Sequence, residues 1–126
     1  MDVLAGFSDP RALTSAKIDA NVVAGCIGVY VLDKTTSGPF KVSYVGRSDS
    51  DVAGRLKKWV VDGGYEFFQF KYMPSATAAY ELECQIYHAF SNLDNEIHPD
   101  APDGTNCTCP VAGCSRAKKT QTYRGW

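Results

Sequence analysis

The sequence predicts a single α/β domain of the α+β sandwich kind, and three observations lead there. Three short segments, 27–32, 42–46 and 65–72, are rich in β-branched and aromatic residues and read as strands. Two longer segments, 52–61 and 76–90, place apolar residues at helical spacing. The chain has 126 residues, 44% hydrophobic and 21% charged, which suits one domain with a core of its own.

Taken in order, Asp9-Pro10 before Arg11-Ala12-Leu13-Thr14-Ser15-Ala16-Lys17-Ile18 reads as the capped start of a short helix, with proline in its first turn. Ile27-Gly28-Val29-Tyr30-Val31-Leu32 and Val42-Ser43-Tyr44-Val45-Gly46 read as neighbouring antiparallel strands joined by residues 33–41, where Gly38-Pro39 marks a turn. Asp51 stands at the cap of the next helix, whose Val52, Leu56, Trp59 and Val60 form one face and whose end falls at Gly63-Gly64. The aromatic strand 65–72 closes at Met73-Pro74, and Ser75 caps helix 76–90. Beyond it, residues 95–104 hold two prolines and read as loop. The expected organisation is an N-terminal helical extension (1–26) packed on a core (27–96), then a Cys-rich, basic tail (97–126).

Net charge is −1, which excludes a uniformly basic nucleic-acid binder, yet the charge is segregated. Residues 73–103 carry six acidic and no basic side chains, and residues 104–126 carry four basic and no acidic ones. The most apolar run, 22–32, is about half a membrane span. The N-terminus has no basic, apolar leader pattern, so a cytoplasmic protein without membrane contact is expected.

Glu83 is the first residue that asks for chemistry. On a helical wheel, Ala79, Leu82, Ile86 and Phe90 fall within about 80° of arc, and Glu83 lies beside Phe90 at the border of that stripe. Glu81 points roughly the other way. An edge glutamate can snorkel to solvent; the alternative is a buried carboxylate with a cationic partner or a metal.

Gly28-Val29-Tyr30 on the first strand, Tyr44-Val45-Gly46 on the second, Arg55 on the following helix, Glu83 on the later helix and Asn95 in the loop after it stand in an order that resembles the GIY-YIG nuclease family. The likeness spans roughly residues 27–96. It implies a three-stranded antiparallel sheet flanked by helices, and an endonuclease that hydrolyses nucleic-acid phosphodiesters with one divalent metal. Its partner would be nucleic acid, DNA ahead of RNA. In that scheme Glu83 holds Mg²⁺ or Mn²⁺, Arg55 grips the phosphate, and Tyr30 and Tyr44 surround the attacking water. Arg47 supplies positive charge, and Asn95 supports the site. The types make chemical sense: a carboxylate suits a hard cation that keeps waters, and a guanidinium fork matches phosphate. An ordinary tyrosine, with a pKa of about 10, needs a nearby cation to serve as a base at neutral pH. Arg47 can instead pair with Asp49 or Asp51. Where many members of the family have a Tyr or His one turn after the arginine, this chain has Trp59, whose indole takes no proton. Tyr30 or Tyr44 then supplies the base, or His88 does, or the domain keeps the fold without the rate; His88 stands about 140° from Glu83 on the wheel, which favours the tyrosines.

The five cysteines are an odd number and argue for thiol or metal chemistry ahead of a disulfide scaffold. Cys107, Cys109 and Cys114, with His98 upstream, could hold a structural Zn²⁺ apart from the metal at Glu83; loop thiols without a ligand are the alternative. Arg116, Lys118, Lys119 and Arg124, interleaved with Tyr123 and Trp126, form a basic-aromatic tail that could lie on a nucleic-acid backbone. Two other functions stay open: a nucleic-acid-binding module that does not cut, and a zinc-stabilised protein-interaction domain.

Overall fold

Six consecutive buried residues, Gly28–Asp33, form the central strand β2. A strand buried along its whole length must have both faces covered. In the computed structural model, which describes residues 2–35 and 38–114, the layers on either side supply that cover. Tyr30 and Leu32 face one core with Leu13, Ile18, Val52, Leu56, Phe68 and Phe70. Val29 and Val31 face another with Val42, Val45, Ala79 and Ile86. Alternation along one strand thus feeds two cores.

The elements in order are β1 (Arg11–Ala12), α1 (Ser15–Asn21), β2, β3 (Tyr44–Ser48), α2 (Val52–Asp62), β4 (Phe67–Tyr72) and α3 (Ala76–Ala89). The sheet is antiparallel throughout, in the order β1-β4-β2-β3. Helices α1 and α2 cover one face; α3, with Leu4 and Phe7 of the N-terminal segment, covers the other.

Two expectations are corrected. The sheet has four strands, not three, because Arg11 and Ala12 pair with Phe68 and Phe67. The Asp9-Pro10 signal does not start a helix. Ser8 donates its backbone N–H to the Phe70 carbonyl and accepts the Phe70 N–H on its hydroxyl, so the chain here is already held along β4. The helix begins five residues later, capped by Thr14, whose Oγ1 accepts the Lys17 N–H at 3.2 Å. A local cap signal is a weak preference, and two strand pairings outweighed it.

The remaining elements fall within one or two residues of expectation. Ser75 caps α3 by accepting the Ala78 N–H, and α2 ends at Gly63 with a positive φ of 77°. The β2–β3 connection is fastened by Asp33, whose buried carboxylate accepts from the Thr35 N–H and hydroxyl and from the Lys41 N–H. Among the described residues no helix is long and apolar enough to cross a membrane.

Candidate functional site

β3 is an edge strand, and this brings residues from both faces of the sheet to one rim. Tyr44 and Gly46 stand opposite Leu32 and Tyr30, on the α2 side. Arg47 stands opposite Val29, on the α3 side. Around the rim lies a cleft of about 220 Å³ lined by Tyr30, Tyr44, Gly46, Arg47, Asp49, Arg55, Glu83 and Asp100. A larger hollow of about 570 Å³, at Leu4, Phe40, Val42 and Phe90, has Lys41 as its one ionisable lining residue. The smaller cleft is therefore the one that gathers ionisable side chains.

The two glycines have steric reasons to be there. A Cβ at Gly46 would overlap the ring and hydroxyl of Tyr30, which is 1% exposed and has no room to withdraw. A Cβ at Gly28 would come within 2.9 Å of the Lys71 carbonyl and 3.0 Å of the Val52 side chain, holding α2 off the sheet. Gly46 thus opens the site floor for a tyrosine hydroxyl, and Gly28 seats the helix that carries Arg55.

Glu83 is buried, and its Oε1 accepts from Arg47 Nη1 at 2.7 Å. Arg47 also donates from Nε to Asp49 Oδ1 at 2.7 Å and lies over the Tyr80 ring, 5.3 Å from its centroid. Asp51 is not its partner: that carboxylate accepts the Gly25 N–H. Burial raises the Glu83 carboxyl above the ordinary glutamate range, and the Arg47 contact offsets this only in part. Arg55 is exposed and has no ion-pair partner among the described residues. The two arginines are therefore unlike: one is committed to carboxylates, the other is available.

Tyr30 accepts a hydrogen bond on its hydroxyl from Trp59 Nε1 at 2.8 Å. Tyr44 packs against Trp59 with ring centroids 4.8 Å apart. Burial pushes both phenols above the ordinary tyrosine value, and Glu83 adds to the rise. The cation that opposes it at both is Arg55, not Arg47, which corrects the role expected of Arg47. Trp59, barred from proton transfer, is instead the donor that orients Tyr30.

Asn95 does not line the cleft. Its side-chain amide takes the place of a missing strand: Oδ1 accepts the Val45 N–H at 3.0 Å and Nδ2 donates to the Val45 carbonyl at 2.8 Å. It holds the edge strand between Tyr44 and Gly46. Asp49 and Asp100 line the cleft without having been singled out as site residues in the sequence; Asp49 was legible as a neighbour of Arg47, whereas no local pattern marks Asp100.

A second cluster shares no residue with the lining of the cleft. His88, His98, Cys109 and Cys114 place their donor atoms within 4.8 Å of one another, a grouping able to hold a metal ion. This corrects the expected set of His98, Cys107, Cys109 and Cys114. Cys107 sits against the Thr77 hydroxyl at 3.4 Å, and His88 of α3 takes its place. His88 is thus not a base in the cleft. The basic-aromatic segment 116–126 lies outside the described residues. No protein-family model matches the chain, and no match to it is found among curated proteins or solved structures.

Proposed function

We propose that the cleft hydrolyses phosphodiester bonds of nucleic acid, as a metal-dependent endonuclease of the GIY-YIG kind, with DNA ahead of RNA as substrate. The observation that carries this reading is that one cleft gathers a buried carboxylate, Glu83, an exposed guanidinium with no ion-pair partner among the described residues, Arg55, and two tyrosines, Tyr30 and Tyr44.

The oxygen donor present, the Glu83 carboxylate, suits a hard cation such as Mg²⁺ or Mn²⁺ that keeps several of its waters, and Asp49 and Asp100 also line the cleft. When bound, that cation supplies positive charge where the phosphoryl oxygens develop negative charge. Glu83 would hold it, and Arg47, which keeps Asp49 as a partner, can release Glu83 without being left unpaired. Arg55 grips the scissile phosphate in a bidentate geometry that lysine does not reproduce. Tyr30 accepts the Trp59 Nε1–H on its oxygen, which leaves its own O–H to donate toward the cleft it lines, where it can orient a water for attack. Tyr44 provides the second hydroxyl. Arg55 is the cation that favours their ionised form, and at Tyr30 the Trp59 hydrogen bond favours it more. Asn95 acts through the backbone, as a positioning residue.

The test is cleavage of plasmid DNA, single-stranded DNA and structured RNA with Mg²⁺, Mn²⁺ or EDTA, beside Glu83→Gln and Arg55→Met variants whose folding is checked by circular dichroism. Metal-dependent cleavage that falls by about 10²- to 10³-fold in each variant is the expected result. Salt-sensitive binding without cleavage would replace the enzyme with a non-cutting nucleic-acid module. Neither binding nor cleavage would leave the zinc-stabilised interaction domain.

A further inference from the structure

We infer that His88, His98, Cys109 and Cys114 form a closed, four-ligand structural zinc site that clips the loop following α3 onto that helix and so sets Asp100 at the rim of the cleft. From Phe90 to Cys114 the chain forms neither helix nor extended strand, and it still packs. Cys109 is 1% exposed, beside Tyr80 and Cys84 of α3. A stretch this long without regular structure usually needs a fastening of another kind.

The distances fit a tetrahedron before any metal is added. Zinc–nitrogen bonds of about 2.0–2.1 Å and zinc–sulfur bonds of about 2.3 Å put neighbouring ligands roughly 3.3–3.8 Å apart. His88 Nε2 and His98 Nε2 are 3.2 Å apart, and Cys114 Sγ is 3.4 Å from His98 Nε2. All four donor atoms lie within 4.8 Å of one another, so small side-chain rotations complete the set.

The surroundings of His98 favour the same assignment. Its Nδ1 lies 2.8 Å from the Pro99 carbonyl, and a carbonyl only accepts, so Nδ1 carries the proton. In the neutral ring Nε2 then presents its lone pair to the cluster. This is the usual outer hydrogen bond of a metal-bound imidazole, which fixes both tautomer and ring orientation. Tyr87 packs on the same ring with centroids 5.3 Å apart.

Two thiolates and two neutral imidazoles balance the charge of Zn²⁺ and match its preference for nitrogen and sulfur, whereas Mg²⁺ prefers oxygen. Cys109 and Cys114 are separated by four residues, within the spacing of zinc-binding cysteine pairs. With four protein ligands and no open position, the site is structural. Binding displaces a proton from each thiol to solvent, so affinity falls as pH falls. His88 is five residues after Glu83, and Asp100 is two residues after His98 and lines the cleft. The clip therefore joins the helix that carries the buried carboxylate to the loop that closes beside it.

The experiment is metal analysis of the full chain, purified in reducing buffer without chelator, by inductively coupled plasma mass spectrometry. Wild type and Cys107→Ser should each carry one zinc per chain. His88→Ala, Cys109→Ser and Cys114→Ser should lose more than about tenfold of it. Where a variant does not fold, wild type alone decides: Co²⁺ added to the metal-free chain should give the intense visible bands of a tetrahedral thiolate site. Two of the five thiols should also resist a thiol reagent until a strong chelator is added. Absence of zinc together with absence of the Co²⁺ bands would overturn the proposal, as would loss of zinc in Cys107→Ser equal to that in Cys109→Ser. Metal content is read without reference to cleavage, so this proposal and the nuclease reading fail separately.

Discussion

Burial raises the Glu83 carboxyl above the ordinary glutamate range, and the Arg47 guanidinium 2.7 Å away offsets only part of that rise. If Arg47 is replaced by methionine, the offset disappears while the burial remains. In Arg47→Met the midpoint of Glu83 should therefore move further up. Carbon-13 NMR of the side-chain carboxyl reads it directly; an unmoved or lower midpoint would show that Arg47 does not hold the carboxylate. At the same scale, Trp59 illustrates what residue type alone conveys. Its inability to take a proton was legible, but its donation to Tyr30 was not, because the partner is 29 residues away. Glu83 was legible as a border residue of its helix. That the border faces Arg47 and not solvent was settled by β3 lying beneath α3.

At the level of elements, β3 is exposed to a fault common to edge strands, a row of backbone groups with no neighbour. Asn95 covers the pair at Val45 with one acceptor and one donor, and Asp94 donates its N–H to the Ser43 carbonyl just beyond. In Asn95→Ala the Val45 groups lose both partners at once. Stability should drop by about 1–2 kcal/mol in urea unfolding, and the Val45 amide should exchange faster with solvent. Unchanged exchange at Val45 would mean that the strand holds without this bracket. The local signals for β2, β3, α2, β4 and α3 were strong because periodicity, caps and turn residues agreed over several residues each. β1 had no such agreement. Two residues carry no period, and the pairing that makes them a strand is with Phe67 and Phe68, far along the chain.

For the molecule as a whole, the site opposes stability. Since the folded state holds the Glu83 proton more tightly than the unfolded chain does, ionising Glu83 costs stability, and the loss develops as pH rises through its folded value. Glu83→Gln has no charge to bury and can still accept from Arg47, which also keeps Asp49. The variant should therefore gain on wild type in urea unfolding as pH is raised from about 4 to about 7. A constant difference across that range would show that burial of the Glu83 charge is not a cost to the fold.

The sequence by itself determined the fold class, five of the seven elements and the residue types of a cleft, because these rest on periodicity and side-chain chemistry that neighbours a few residues apart can express. It also contained the reason for Gly46 without displaying it, since a glycine within a strand is ambiguous until the tyrosine opposite is known. Only the tertiary structure decided the order of the sheet, the edge position of β3, and thus the rim where Tyr30, Tyr44, Arg55 and Glu83 meet from opposite faces. It likewise exchanged Cys107 for His88 in the second cluster. Such groupings depend on where separate elements pack, and packing is set by the burial of whole faces, to which no local pattern responds.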